Sequence, residues 1–173
     1  MTQPFAAVIE RLDYDFSHFE INHFLRHVQR QRDKDLFVKA VKVEPELHGL
    51  WVPGPTADYV FYNVAAHAVH KVHILLHELA HILLNHRPPR LDELLPDLKD
   101  LSIELNFEML REMGLMRTIK ADLRRSGQEQ EAEAFARELQ YHIIRAGRGS
   151  YLSQPSSSIP ALEAFTGSLS FED

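Results

Sequence analysis

The stretch HILLHELAHILLNH, residues 73–86, places four histidines and a glutamate in an otherwise apolar run. His77 and His81 are four residues apart, so on a helix they lie one above the other on the same face. Two imidazoles at this spacing, with a glutamate directly after the first, form the H-E-x-x-H arrangement that binds Zn²⁺. The pattern predicts that His77 and His81 are zinc ligands and that Glu78 is a general base acting on a zinc-activated water.

Apolar residues around this motif predict that it lies on a partly buried helix. The side opposite the two histidines carries the residues that would anchor the helix in a core, namely Val72, Leu75, Leu79, Ile82 and Leu83. A core helix with two hydrogen-bonded histidines and no metal is the alternative interpretation. His70 and His73 fall on the same side as His77, where they either line a cleft or are solvated. His86 is expected to project to the opposite side.

A third zinc ligand has to come from a later segment of the chain. The metzincin spacing is excluded, because position 84 is Leu and position 87 is Arg. The segment EQEAEAFARELQYHIIR has an apolar helical stripe with Glu129 and Glu133 on one flank and Glu131 on the other. Of Glu129 and Glu133, one would be a zinc ligand and the other would contact a histidine that binds zinc. The alternative is a solvated acidic face near a helix N-terminus.

The two motifs together, HELAHILLNH followed by EQEAEAFA, resemble the ImmA/IrrE family of zinc metallopeptidases. In that family a H-E-x-x-H helix is followed by E-x-x-A-[N/D]-x-F-A on a later helix, and the resemblance covers roughly residues 36–145. It implies a zincin-like fold with His77, His81 and Glu129 as zinc ligands. It also implies that Glu78 is the general base. Glu133 stands at the usual Asn/Asp position, which leaves open an exchange of roles with Glu129.

The resemblance also implies a function, namely a regulatory zinc-dependent endopeptidase that cleaves a helix-turn-helix transcriptional repressor. The net charge of −6 argues against direct binding of nucleic acid, so the DNA-binding protein would be a separate partner. The chain has no cysteine, which excludes Cys-type zinc sites and thiol nucleophiles. It shows neither a secretory leader pattern nor an apolar run of about 18 residues, so we expect a cytoplasmic protein with no membrane partner.

Two other classes of function stay open at this point. The first is a non-catalytic interaction module, such as a toxin–antitoxin-type component, in which the metal only stabilises the fold. The second is a structural domain that binds no metal. Metal content would test the structural domain, and the activity of a variant at Glu78 would separate the interaction module from the enzyme.

The surrounding elements are expected to form one α+β domain over residues 1–146, because strand-like segments are followed by helical ones. The helix that begins it would span residues 15–33, with Ser17 and Glu20 as a capping box. Residues 147–173 are expected to form a mobile tail, because Ser, Gly and Pro are frequent there.

Three β-rich segments over residues 36–63 are separated by turn-forming residues, and their short connections predict a small antiparallel sheet. The last of them, DYVFYN at 58–63, is expected beside the cleft, where it could pair with an extended substrate. The active-site helix would be central to the domain and would span residues 64–86. Further helices are expected over residues 91–145, with Gly147 at the C-cap of the last one.

Overall fold

The computed structural model describes residues 3–42, 48–88 and 115–151. These residues form an α+β structure with five α-helices and a three-stranded sheet. The elements in chain order are α1 (Gln3–Leu12), a 3-10 turn (Phe16–His18), α2 (Ile21–Arg32), β1 (Asp35–Val41), β2 (Gly49–Pro53), β3 (Ala57–Asn63), α3 (Ala68–Leu83), α4 (Leu115–Arg125) and α5 (Gln128–Tyr151). Two predictions lie outside the described residues. They are the helices expected between residues 91 and 114 and the part of the expected tail that follows residue 151.

The start of the domain differs from the prediction. The predicted capping box is wrong, because Ser17 belongs to the 3-10 turn, where its backbone N–H donates to Asp15 at 2.9 Å. Glu20 is the N-cap residue of α2 and makes no side-chain cap hydrogen bond. Short polar side chains often favour such local turns over the first turn of a helix. The buried face of α2 consists of Ile21, Phe24, Leu25 and Val28, which follow helical spacing.

The sheet is mixed, with the strand order β1-β3-β2. The predicted antiparallel pairing is confirmed for β2 and β3, which form a hairpin in which the Gly54 N–H donates to the Ala57 carbonyl at 2.8 Å. It is wrong for β1, which pairs with β3 in parallel. The hairpin folds β3 back between β1 and β2, so β2 itself forms part of the crossover that a parallel pair requires.

Two hydrophobic clusters lie on opposite faces of this sheet, because successive side chains of a strand point to opposite sides. The larger cluster contains Trp51, Val60 and Tyr62 together with buried residues of α1, α2, α3 and α5. The smaller cluster contains Leu50, Val52 and Phe61 together with Ile119 and Leu123 of α4. Consequently β2 is buried on both faces, although it lies at an edge of the sheet.

Helices α3 and α5 pack against each other through the two apolar stripes that the sequence predicts. On α3 the fully buried members of the stripe are Val72, Leu75, Leu79 and Ile82, whereas Leu83 is half-buried. On α5 the buried stripe consists of Ala132, Phe135, Ala136, Leu139 and Ile143. Each large side chain buried in this way contributes about 1.5–3 kcal/mol to the free energy of folding, and this burial holds the two helices together.

The ends of these helices follow local backbone conformation. Asn85 adopts a left-handed conformation with φ 54° and ends α3 before the prolines that follow. Gly127 has φ 75° and separates α4 from α5. The predicted C-cap at Gly147 is wrong, because α5 continues through it to Tyr151. None of the helices in the described ranges is both long and apolar enough to cross a membrane.

Candidate metal centre

Helices α3 and α5 bring His77, His81 and Glu129 together. The Nε2 atoms of His77 and His81 are 3.3 Å apart. Glu129 places Oε2 3.4 Å from Nε2 of His77 and Oε1 3.6 Å from Nε2 of His81. In a tetrahedral zinc site with bonds near 2.0–2.1 Å, neighbouring donor atoms are about 3.3 Å apart. The two histidine nitrogens therefore have the separation of two corners of a zinc tetrahedron, and each of them lies close to one oxygen of the Glu129 carboxylate.

The chemistry of this donor set fits zinc. Two imidazole nitrogens and one carboxylate oxygen are a ligand set typical of catalytic zinc sites, which keep the fourth position for water or substrate. One ligand atom from each of His77, His81 and Glu129 lies within 4.8 Å of the others. Because α3 and α5 are anchored in the same core, packing of the two helices holds these side chains close together.

Glu133 lies on the other side of the His77 ring from Glu129. Its Oε2 is 3.3 Å from Nδ1 of His77 and 3.1 Å from Nε2 of His73. Arg137 donates from Nε to its Oε1 at 2.7 Å. Glu129 thus faces the Nε2 atoms of both histidines, whereas Glu133 faces Nδ1 of one. This distribution suits Glu129 as the ligand and Glu133 as the outer partner that orients His77.

His86 lies beside His81, and the prediction that it projects away from the site is wrong. The backbone N–H of His86 donates to the His81 carbonyl at 2.9 Å, and the Nδ1 atoms of the two rings are 2.8 Å apart. Nε2 of His86 is 3.3 Å from Oε2 of Glu131. The helical periodicity that predicted the direction of His86 no longer applies, because Asn85 turns the chain back at the end of α3.

Glu78 is buried, with 2% of its surface exposed. Its Oε1 accepts a hydrogen bond from Nζ of Lys120 at 3.3 Å. Its Oε2 is buried and has no hydrogen-bond partner within the described part of the chain. A buried carboxylate oxygen in that state is costly unless a further group, such as a water or an ion, completes its contacts.

Gly49 allows β2 to approach Glu78 closely. A Cβ atom at this position would lie 2.7 Å from Oε1 of Glu78 and 2.5 Å from Cγ2 of Ile74, both far below normal contact distance. A side chain at the start of β2 would therefore displace Glu78. Gly49 was not among the predicted site residues, because a single glycine before a strand also suits an ordinary turn.

Lys120 is the second site residue that the sequence did not indicate. It comes from α4, and its Nζ is 3.5 Å from Oε1 of Glu129 in addition to its contact with Glu78. No motif marks this lysine, since a charged residue between the buried Ile119 and Leu123 is ordinary for an amphipathic helix. Only the placement of α4 against the sheet brings it into the metal centre.

A cavity of about 220 Å³ opens at this centre. It is lined by His48, Gly49, His70, His73, Ile74, His77, Glu78, Lys120, Arg124, Glu129 and Glu133. The two histidines whose position sequence left open, His70 and His73, thus both face the cavity. Its small volume and polar lining suit a short stretch of an extended peptide better than a large apolar ligand.

Two of the three candidate ligands, His81 and Glu129, have lowered pKa values, which favours metal binding. Burial, and then the neighbouring His77, lower the pKa of His81 to about 3. Burial raises the pKa of Glu129, but the hydrogen bond from His77 and the charge of Lys120 outweigh it and lower this pKa to about 2. Burial lowers the pKa of His77, yet the hydrogen bond to Glu129 and the charge of Glu78 raise it overall. His77 is therefore the ligand at which protons compete most with a metal.

The strand expected to pair with a substrate is not available for pairing. β3, which contains DYVFYN, is central and is hydrogen-bonded to a strand on each side. β2 is the edge strand nearest the centre, because Gly49 at its start lines the cavity.

Comparisons of this chain with protein-family models, with curated proteins and with solved structures found no match. The relationship to the ImmA/IrrE metallopeptidases therefore stays a prediction that rests on the two motifs.

Proposed function

We propose that this protein is a zinc-dependent endopeptidase of the ImmA/IrrE type. The observation that carries the proposal is a group of two imidazole nitrogens 3.3 Å apart with the Glu129 carboxylate beside both, next to a cavity that the buried carboxylate of Glu78 also lines. A structural zinc site would need a fourth protein ligand. Among the described residues, the only group of three or more potential ligands with such close spacing is His77, His81 and Glu129.

Zinc, when bound, supplies Lewis acidity that polarises a carbonyl and makes water acidic near neutral pH. Glu78 supplies the proton transfers: Oε2, which has no partner in the described chain, accepts a proton from the attacking water and returns it to the leaving amine. Lys120 holds the other oxygen, Oε1, so that the carboxylate keeps one orientation. His77 and His81 are held by Glu133 and His86 through their Nδ1 atoms, which leaves both Nε2 atoms for the ion.

An extended substrate would run along β2, the sheet edge beside the cavity, and form main-chain hydrogen bonds with it. The proposed substrate is a helix-turn-helix repressor cleaved in a flexible segment, and the proposed setting is the cytoplasm. The choice of substrate follows from the motif resemblance by analogy. The acidic character of the chain, with a net charge of −6, supports a separate DNA-binding partner.

The proposal is tested by loading the untagged protein with zinc and incubating it with casein and with a candidate helix-turn-helix partner. We expect one zinc per chain, little digestion of casein and specific cleavage of the partner. The matched control is Glu78→Gln, which should keep zinc and fold and lose cleavage, because Glu78 transfers protons and is not a ligand.

Three outcomes would contradict this function. Loss of zinc from Glu78→Gln would make Glu78 a ligand. Rapid casein digestion would indicate a general peptidase. Partner binding without cleavage, equally tight in Glu78→Gln, would indicate the metal-stabilised interaction module instead.

A further inference from the structure

Lys120 brings a cation into the metal centre from a third element. Its Nζ lies 3.3 Å from Oε1 of Glu78 and 3.5 Å from Oε1 of Glu129, and its side chain is only 14% exposed. Two carboxylates that lie beside the same ammonium and are partly or fully buried repel each other and lose hydration. The ammonium of Lys120 compensates both at once, which makes it part of the centre and not a solvated surface lysine.

The backbone position of Lys120 is fixed by packing. Two residues of the same helix, Ile119 directly before Lys120 and Leu123 one turn after it, are fully buried in the smaller cluster against Leu50, Val52 and Phe61 of the sheet. The backbone of Lys120 is held in place, so only the side-chain torsions of this lysine are ordered when it pairs with Glu78. Its contacts therefore belong to a rigid arrangement of α3, α4 and α5.

The same oxygen of Glu129 lies near Lys120 and near the candidate metal position. Oε1 lies 3.6 Å from Nε2 of His81, where a metal would bind, and 3.5 Å from the ammonium of Lys120. A doubly charged ion and an ammonium that share one carboxylate repel each other strongly in a partly buried site. Lys120 must therefore weaken zinc binding, even though it orders the residues around the ion.

We propose that Lys120 is a positioning residue that holds Oε1 of Glu78 in one orientation. Because its ammonium also lies beside Glu129, it lowers the affinity of the site for zinc. This inference rests on the proposed metallopeptidase function. It assigns opposite effects to one side chain, since Lys120 promotes turnover through Glu78 while it lowers the affinity for zinc. A lysine with a merely structural role would not produce that combination.

The test is Lys120→Met, which keeps the length of the side chain and removes its charge. Zinc titration followed by calorimetry should give a Kd lower than that of the parent protein by about tenfold, because the repulsion at Glu129 is gone. Without zinc, the variant should melt at a lower temperature, because two carboxylates lose their cation. With the cleaved partner as substrate, kcat should fall by about tenfold to a hundredfold while KM changes little.

Two further variants complete the comparison. Lys120→Arg retains the charge, so its zinc affinity should be as weak as that of the parent protein. Its kcat should lie between the values of Lys120→Met and the parent protein. Arg125→Met removes one positive charge from the exposed side of the same helix, where Arg125 donates to the Ala121 carbonyl of its own helix, and should change neither quantity. If Lys120→Met does not fold, Lys120→Gln provides the same loss of charge with a polar side chain.

Unchanged or weaker zinc affinity in the uncharged variants would overturn the inference, and so would an equal gain in Arg125→Met. These zinc measurements need no peptidase activity. If the parent protein binds zinc but cleaves nothing, the proposed function is wrong. The difference in zinc affinity would then still show whether Lys120 weakens zinc binding.

Discussion

The Nδ1 atoms of His81 and His86 lie 2.8 Å apart, so one of the two rings must donate a proton to the other. If His81 binds a metal through Nε2, its Nδ1 carries the proton and His86 accepts through Nδ1. Nε2 of His86 is then the protonated nitrogen, and it lies 3.3 Å from Oε2 of Glu131. The tautomers that metal binding requires are thus the same ones that this chain of contacts selects.

His86→Ala should therefore lower zinc affinity by about 10-fold to 100-fold without removing a ligand. The physical reason is that His81 loses the group that fixes its tautomer and the orientation of its ring. Calorimetric titration with zinc measures the effect. Glu131→Gln is the matched control and should have a smaller effect, because its side chain is 53% exposed. An affinity equal to that of the parent protein would show that His86 does not support the site.

His81→Ala should abolish stoichiometric zinc binding, because it removes one of three ligand atoms. Zinc at about 1,000 times its Kd stabilises the parent protein by about 4 kcal/mol, and the variant should lose this gain. Metal analysis and thermal melts with and without zinc measure the two effects. His70→Ala serves as the control, since His70 is exposed and lies outside the ligand set. Full zinc occupancy in His81→Ala would refute the assignment.

Gly49→Ala should reduce turnover while zinc stays bound. The added methyl group would lie 2.7 Å from Oε1 of Glu78, so the carboxylate has to move, and overpacking costs about 1–3 kcal/mol of stability. Gly54→Ala is a matched control in the same hairpin, because its Cβ would lie 2.8 Å from the Ala57 carbonyl, away from Glu78. Equal losses of kcat in both variants would mean that general destabilisation, and not displacement of Glu78, is responsible.

The metal-free protein should become less stable as the pH falls from about 6 to about 4. The folded-state pKa of His81 is about 3 against an ordinary value of 6.5, so in this window the unfolded chain binds a proton that the folded chain does not. One such proton corresponds to about 1.4 kcal/mol per pH unit. The lowered pKa of Glu129, about 2, acts in the same direction below about pH 5.

The raised pKa of His77 acts in a different range. Its contribution is fully present below the ordinary pKa of 6.5 and is lost as the pH rises through the folded value, so it does not oppose the trend between pH 6 and 4. Urea unfolding at several pH values measures the slope. In His81→Gln the slope should become shallower, and an unchanged slope would exclude His81 as its source.

The sequence by itself determined the parts of this protein that depend on local spacing. The four-residue separation of His77 and His81, and of Glu129 and Glu133, sets each pair on one helix face whatever surrounds it. The apolar stripes of α3 and α5 were predictable for the same reason, since helical periodicity extends over each whole segment. These features indicate two helices, each of which buries one face in the core and carries candidate metal ligands beside that face.

The tertiary structure decided which residues meet from elements far apart in the chain. The parallel pairing of β1 with β3 depends on how the hairpin folds back, and connection length alone does not specify it. Lys120 reaches Glu78 only because Ile119 and Leu123 pack on one face of the sheet, and this packing leaves no pattern near residue 120 that differs from an ordinary helix. The predicted direction of His86 was wrong because the chain turns at Asn85. Beyond that residue the direction of a side chain follows the turn and no longer the helical period.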